Sequence, residues 1–139
     1  MSSKEKRRTV HLVPYYIQDG TCFVFLQKRS NDATRNPGSI SIFGGGVEGN
    51  ETNEDALSRE MNEELNYTLG HFTLLGTYED EHSISTYYFE EVSADFVSRI
   101  KIGEGEYGKF FTEEEVCNEP LMSDSSRRVL KDFFTITPL

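Results

Sequence analysis

Between Ser39 and Asn66 the chain changes its hydrophobic period twice, and no other stretch restricts the fold as much. Ser39-Ile40-Ser41-Ile42-Phe43 alternates with the period of two that a half-buried strand requires, then runs into Gly44-Gly45-Gly46. Three residues without Cβ have nothing to pack, so the strand is expected to stop there and the backbone to become free to take positive φ. A period near four then takes over. Leu57, Met61 and Leu65 recur on one face of a helix, with Thr52 as its N-cap and Asp55 three residues further on. That helix of about three to four turns ends at Asn66, because asparagine is, after glycine, the residue that most readily adopts the left-handed conformation of a helix C-terminus.

The flanking segments supply a sheet for this helix to cover. Residues 10–17 and 21–28 read as strands joined by Gln18-Asp19-Gly20, a hairpin. Residues 31–39 are a loop. Residues 72–78 and 84–92 alternate as two more strands around the acidic turn Glu79-Asp80-Glu81-His82, while residues 95–102 fit either strand or helix. An acidic, glycine-rich loop over residues 103–108 leads into Phe110-Phe111, and Thr112 with Glu115 forms a capping box for a short helix. A last helix begins near Ser123 or Asp124 and carries Val129, Leu130, Phe133 and Phe134 as its buried stripe. Strands bracketing two helices without strict βαβ alternation predict an α+β fold, a mixed sheet between helices in an α/β/α sandwich.

A length of 139 residues, with no repeat or low-complexity linker, suits one domain over residues 1–139 and is too short for two ordinary ones. Residues 1–8 are expected to be a flexible basic terminus. Acids outnumber bases 24 to 14, and a net charge of -10 argues against a broad basic face for a nucleic-acid polymer. No apolar run approaches the ~20 residues of a membrane span, and the first residues lead into no signal-peptide core, so no membrane partner and a cytoplasmic location are expected. Cys22 and Cys117 lack metal-ligand spacing and are expected to be buried thiols. His11, His71 and His82 also lack ligand spacing, and Ser125-Ser126-Arg127-Arg128 is expected to be a helix surface.

The chemistry lies on the first long helix. At ~100° per residue, Glu60, Glu63 and Glu64 fall within one arc beside the Leu57/Met61/Leu65 stripe, at the edge of the buried face. Three like charges at this spacing destabilise a helix unless something compensates. Hard divalent cations fit that need, and Mg²⁺ in particular is usually shared between a few carboxylates and the phosphates of a substrate. Arg59 and Glu51 could form an arginine-carboxylate fork that pins the glycine segment to the helix. A solvated acidic face is the blander reading of these glutamates taken alone.

The spacing of the whole set decides against the blander reading. Gly45-x5-Glu51-x7-Arg59-Glu60-Met61-x-Glu63-Glu64 resembles the Nudix box of the MutT-like hydrolases, G-x5-E-x7-R-E-U-x-E-E-x-G-U with U aliphatic. Six identities at ~6% each leave a chance match on the order of 10⁻⁵ for a chain of this length. Asn66 and Tyr67 depart from the last glycine and the last aliphatic residue, and neither is a charged position. The resemblance implies the Nudix fold and hydrolysis of a nucleoside diphosphate linked to another moiety, with Mg²⁺ as cofactor and Mn²⁺ as a substitute. It implies Glu60, Glu63 and Glu64 as metal ligands, the backbone carbonyl of Gly44 as a further ligand, and Arg59 with Glu51 as an orienting pair. A glutamate from a loop beyond the box approaches the metals in MutT-like members. Glu104 resembles it, with Glu106 as the reserve.

A pyrophosphate bridge repels hydroxide, so metal ions must neutralise it and acidify water while Glu63, Glu64 or the loop glutamate accepts the proton. Arg29, at the end of the second strand, occupies a position where family members often carry a substrate-facing arginine. The ADP-ribose branch tends to carry a proline about fifteen residues past the box, and residues 67–119 contain none; Tyr87 or Tyr88 lies only a little beyond where a dinucleoside-polyphosphate branch tends to place a tyrosine. The compact length and the Glu104 loop favour a (deoxy)nucleoside triphosphate or oxidised nucleotide, cleaved to the monophosphate and pyrophosphate. ADP-ribose, sugar nucleotides, dinucleoside polyphosphates and a non-catalytic nucleotide sensor are the alternatives. A small nucleotide is thus the expected partner, with homodimerisation as a further possibility.

Overall fold

The computed structural model describes residues 6–29, 38–101 and 107–137. β1 (Arg7–Gln18) and β2 (Thr21–Lys28) form the expected hairpin. Asp19 and Gly20 lie at φ 53° and 79°, with Gln18 paired to Thr21 across them. Positive φ at both positions gives the two-residue turn whose twist matches its strands, and glycine adopts it without steric cost. β3 (Ile40–Ser41), β4 (Phe43–Gly46), β5 (Phe72–Glu79), β6 (Ser83–Glu91) and β7 (Tyr107–Phe111) complete the sheet. Its order is β3-β2-β1-β6-β5, with β4 paired to β1 and β7 to β2. β1 runs parallel to β6 and antiparallel to β2 and β4, so the sheet is mixed, as expected.

The helices are α1 (Asn53–Leu65), α2 (Phe96–Arg99), α3 (Glu113–Asn118) and α4 (Asp124–Ile136). Alternation along β1 divides the core between them. Val10 and Leu12 pack with Leu57, Met61 and Leu65 of α1, while Val13 packs with Val129, Leu130 and Phe133 of α4. Burying one such side chain contributes about 1.5–3 kcal/mol. The three α1 residues are fully buried, and they fix the helix against the sheet. Its ends follow the sequence: the Thr52 hydroxyl accepts from the Asp55 N–H, and Asn66 closes the helix at φ 51°. Both bonds of the Thr112/Glu115 capping box are also made.

Other expectations change. The glycine triplet does not end its strand: Gly44, Gly45 and Gly46 continue β4, pairing with His11, Val10 and Thr9, and none has positive φ. Pairing to β1 holds their backbone extended despite the missing side chains. Residues 1–8 are not uniformly frayed, since Arg7 and Arg8 belong to β1 and pair with Ser83 and Ile84. Residues 95–102 contain the short helix α2, which buries Phe96. Tyr107 and Gly108, expected in the acidic loop, pair in β7 with Lys28 and Gln27. Cys22 is buried but Cys117 is exposed on α3, so the second buried thiol is not found. Ser126 and Arg127 are not a helix surface. Ser126 is buried, and its hydroxyl accepts from the Ile42 N–H at 3.0 Å. Arg127 donates to the carbonyls of Val116, Cys117 and Glu119 at 2.7–2.9 Å, satisfying the open end of α3.

Candidate active site

Arg59 is the hub of the site. Its Nε and Nη2 donate to the two carboxylate oxygens of Glu51 at 2.8 and 2.9 Å, the two-pronged geometry that guanidinium and carboxylate share. Nη2 also donates to the Gly46 carbonyl at 2.9 Å, and Nη1 to Glu60 at 3.1 Å and Glu63 at 3.3 Å. Glu51 accepts a further bond from the Glu48 N–H at 2.9 Å. One side chain therefore ties the end of β4, the turn after it and α1 together. The Arg59 hydrogen bonds, with the Glu48 amide, hold the Glu51 carboxyl down at about 2. The same fork pushes the Arg59 guanidinium up.

Glu60 is enclosed where α1 meets β4 and keeps only 9% of its surface exposed. Burial pushes its carboxyl up, against the opposing pull of Arg59. A Cβ on Gly45 would lie 2.3–2.4 Å from the Glu60 carboxylate, so the strand can approach this acid only through glycine. At Gly44 a Cβ would meet the Val10 carbonyl oxygen at 2.2 Å and the His11 ring at 2.3 Å. Crowding, rather than backbone conformation, accounts for these two glycines.

A cavity of about 460 Å³ opens beside them, within the usual range of small-molecule sites. Gly44, Glu60 and Glu64 line it together. Arg59 and Glu51 stand behind the glycine segment. Glu63 is more than half exposed and turned toward Arg59, outside the cavity lining. Glu104 and Glu106 lie outside the described residues. Arg29 lines the cavity, as the sequence suggested, as does Tyr87, one of the two tyrosines weighed above; so do Arg7, Gln27 and His11, which sequence reasoning missed. The signal for Arg7 and His11 was the polar 7-9-11 alternation against apolar Val10 and Leu12. His11 stacks on Tyr87, with ring centroids 4.3 Å apart and planes 14° from parallel, and its Nε2 lies 3.0 Å from the Thr9 hydroxyl. Burial pushes the His11 pKa down to about 4.

Among the described residues no three acidic, histidine or cysteine side chains converge as a metal-ligand group. Arg59 Nη1 stands between Glu60 and Glu63 and donates to both. The donors nonetheless fit a hard divalent cation: they are oxygens, Glu60 is already desolvated, and Gly45 leaves room beside its carboxylate. The chain thus presents an acidic helix edge across a glycine strand of a mixed sheet between helices, with its arginine pinned from behind.

Comparison with known proteins agrees. The family model of the NUDIX domain matches residues 5–133. The chain belongs to the Nudix hydrolase family, whose members in general are pyrophosphohydrolases that use divalent metals. Among solved structures it is similar to a MutT/nudix family protein from Enterococcus faecalis, with a TM-score of 0.80 and 14% identity over 97% of this chain. It spans 63% of that protein's length. It is also similar to the NUDIX domain of Shewanella oneidensis NrtR complexed with ADP ribose, with a TM-score of 0.74 and 21% identity over 97% of this chain and 91% of that one. A MutT protein from Methanosarcina mazei Go1 gives a TM-score of 0.75 and 21% identity over 96% of this chain and 97% of that one. At these identities the likeness is one of fold. No curated protein matches the chain.

Proposed function

We propose that this chain is a Mg²⁺-dependent pyrophosphohydrolase that cleaves a (deoxy)nucleoside triphosphate or oxidised nucleotide to the monophosphate and pyrophosphate. The observation that carries this reading is Glu60: a desolvated carboxylate, reached by the strand only through Gly45, at the wall of a cavity it shares with Glu64. Glu60, Glu63 and Glu64, the Gly44 carbonyl and Glu104 would hold the metal. When bound, a divalent ion supplies positive charge at the phosphate oxygens and acidity to water. Glu64, on the cavity wall, accepts the proton of the attacking water at its carboxylate, with Glu63 as the alternative base. Arg59 does not face the substrate; it holds α1 in register with β4 so that the acids keep their aim. Arg29 orients phosphate across the cavity.

Within this reading residues 1–139 act as one domain, in the cytoplasm and as a homodimer, on a small nucleotide rather than a nucleic-acid polymer. None of the described helices is long and apolar enough to cross a membrane. A second reading is a sensing module that binds ADP-ribose, as the NrtR domain does. The complete set of box acids favours turnover. The test is a screen of purified protein with Mg²⁺ against deoxynucleoside triphosphates, oxidised nucleotides, ADP-ribose, dinucleoside polyphosphates and sugar nucleotides, scoring released phosphate or pyrophosphate. Fastest release from a triphosphate is the result expected. Binding without release from any of them, with Mg²⁺ or Mn²⁺, would establish the sensor instead.

A further inference from the structure

The cavity has a second wall whose charge opposes that of Glu60 and Glu64, and part of it comes from a segment far from the box. Alternation along β1 turns Arg7, Thr9 and His11 toward the cavity and Arg8 away from it. Arg8 is engaged with α1, its Nη2 donating to Asn53 Oδ1 at 2.6 Å. The Arg7 guanidinium instead lies over the glycine strand, with Nη2 3.3 Å from where a Cβ on Gly46 would stand. Arg7 is tied down by its backbone, whose N–H donates to the His82 carbonyl at 2.9 Å, while no side-chain hydrogen bond or ion pair engages its guanidinium among the described residues. Arg29 adds a second cation to this wall. Among the described residues the acids lining the cavity are Glu60 and Glu64, the ones a metal would occupy.

Among the described residues the same cavity offers no exposed aromatic ring on which a base could stack. Tyr87 is only 5% exposed, with His11 stacked on its ring and the Tyr78 ring edge-on 5.4 Å away. The residues outside the described set contain no Phe, Tyr or Trp. Two guanidinium groups without a stacking wall match a chain of phosphates better than a base, because the planar guanidinium fork fits phosphate oxygens in pairs.

We propose that Arg7 binds a third phosphate group, beyond the two joined by the bond that is cleaved, so that the cavity selects substrates by the length of their phosphate chain. This rests on the pyrophosphohydrolase reading. It further assigns Arg7 the discrimination between triphosphates and substrates with two phosphates, such as ADP-ribose.

The test compares wild type, Arg7→Gln, Arg7→Lys and Arg8→Gln. With Mg²⁺ present, calorimetry of tripolyphosphate against pyrophosphate is expected to show wild type preferring the longer anion by about tenfold, or about 1.4 kcal/mol. Arg7→Gln loses that preference, Arg7→Lys keeps part of it, and Arg8→Gln keeps all of it. In turnover, Arg7→Gln raises KM for a triphosphate by about the same factor with kcat within about twofold, and leaves KM for ADP-ribose unchanged. Equal weakening of both anions in Arg7→Gln, no weakening of either, or the same loss in Arg8→Gln would each overturn the assignment. If no nucleotide is hydrolysed, the hydrolase reading fails by itself. The tripolyphosphate preference and its loss in Arg7→Gln alone still decide the role of Arg7.

Discussion

Gly45→Ala separates the fold from the site. The new Cβ would stand 2.3 Å from the Glu60 carboxylate, and ordinary contact begins at 3.4 Å, so the carboxylate must retreat by the difference, about 1 Å. That retreat is possible, because the obstacle is the end of a four-bond side chain and not backbone. Replacing glycine at a φ that alanine tolerates also stabilises by about 0.4–1 kcal/mol through the unfolded chain, which offsets part of the strain. The melting temperature is therefore expected to stay within about 4 °C of wild type. Function should not survive as well, since a misplacement of about 1 Å at a reacting centre costs roughly 10²-fold in rate. The assay pairs thermal unfolding with Mn²⁺ titration and steady-state turnover, using Gly44→Ala and Gly46→Ala as brackets. At Gly44 the Cβ would meet the backbone oxygen of Val10 at 2.2 Å, which cannot step aside without opening the β1–β4 pairing, so this variant is expected to lose stability outright. At Gly46 the nearest atom, Arg7 Nη2, is 3.3 Å away, and both readouts should stay near wild type. A Gly45→Ala protein with wild-type turnover and Mn²⁺ affinity would show that the placement of Glu60 does not matter to the site.

Arg59→Gln removes the fork that holds Glu51 at about 2, below its ordinary carboxyl value of 4.5. A depressed carboxyl contributes stability above its unfolded pKa and loses it as pH falls through the folded one. Urea titrations should therefore show part of the wild-type stability loss between about pH 5 and pH 2 missing in the variant, and superimposable pH profiles would refute the fork as its source. Glu64→Gln should lower kcat by orders of magnitude and Glu63→Gln by less, because only Glu64 lines the cavity; the reverse order would place the base on Glu63. Tyr67→Phe takes one of two donors from the buried Glu90 carboxylate, leaving the Gly70 N–H at 2.9 Å, and should cost about 1–3 kcal/mol in denaturant melts without changing KM. Glu51→Gln weakens the hold on Arg59 and lets it compete for Glu60 and Glu63, so half-maximal activity should need several-fold more Mg²⁺; an unchanged requirement would mean the fork does not govern the cavity acids.

What the sequence disclosed was set by how local the causes are. The N-cap at Thr52, the αL end at Asn66, the Leu57/Met61/Leu65 stripe and the fork of Arg59 with Glu51 all depend on spacings within one helix and the turn before it. The conformation of Gly44–Gly46 was not readable, because glycine tolerates both extended and positive-φ backbone. Pairing with residues 9–11, more than thirty positions earlier, decides between them. Arg7 and Arg8 read as a solvated terminus because their partner strand, β6, lies more than seventy positions away. Ser126 looked like helix surface for the same reason: the amide it serves belongs to Ile42. The α1 side of the site was legible because a helix writes its own geometry. The opposite wall was not, because it is assembled from β1, β2 and the start of α4.

The distribution of charge explains why both walls are needed. Arg59 is one cation shared by Glu48 at 3.6 Å, Glu51, Glu60 and Glu63, and its shortest bonds go to Glu51 on the side away from the cavity. The rear of the acidic helix is thus neutralised by a side chain held too firmly to turn outward, while Glu60 on the cavity wall is paired to it only at 3.1 Å. Burial makes its charge costly, as the upward push on the Glu60 carboxyl shows. A cation drawn in from solution would relieve it at one wall, and Arg7 and Arg29 line the other. A polyanion satisfies both only when it reaches from one to the other. The length of the phosphate chain, more than the identity of a base, is therefore the property this geometry can read.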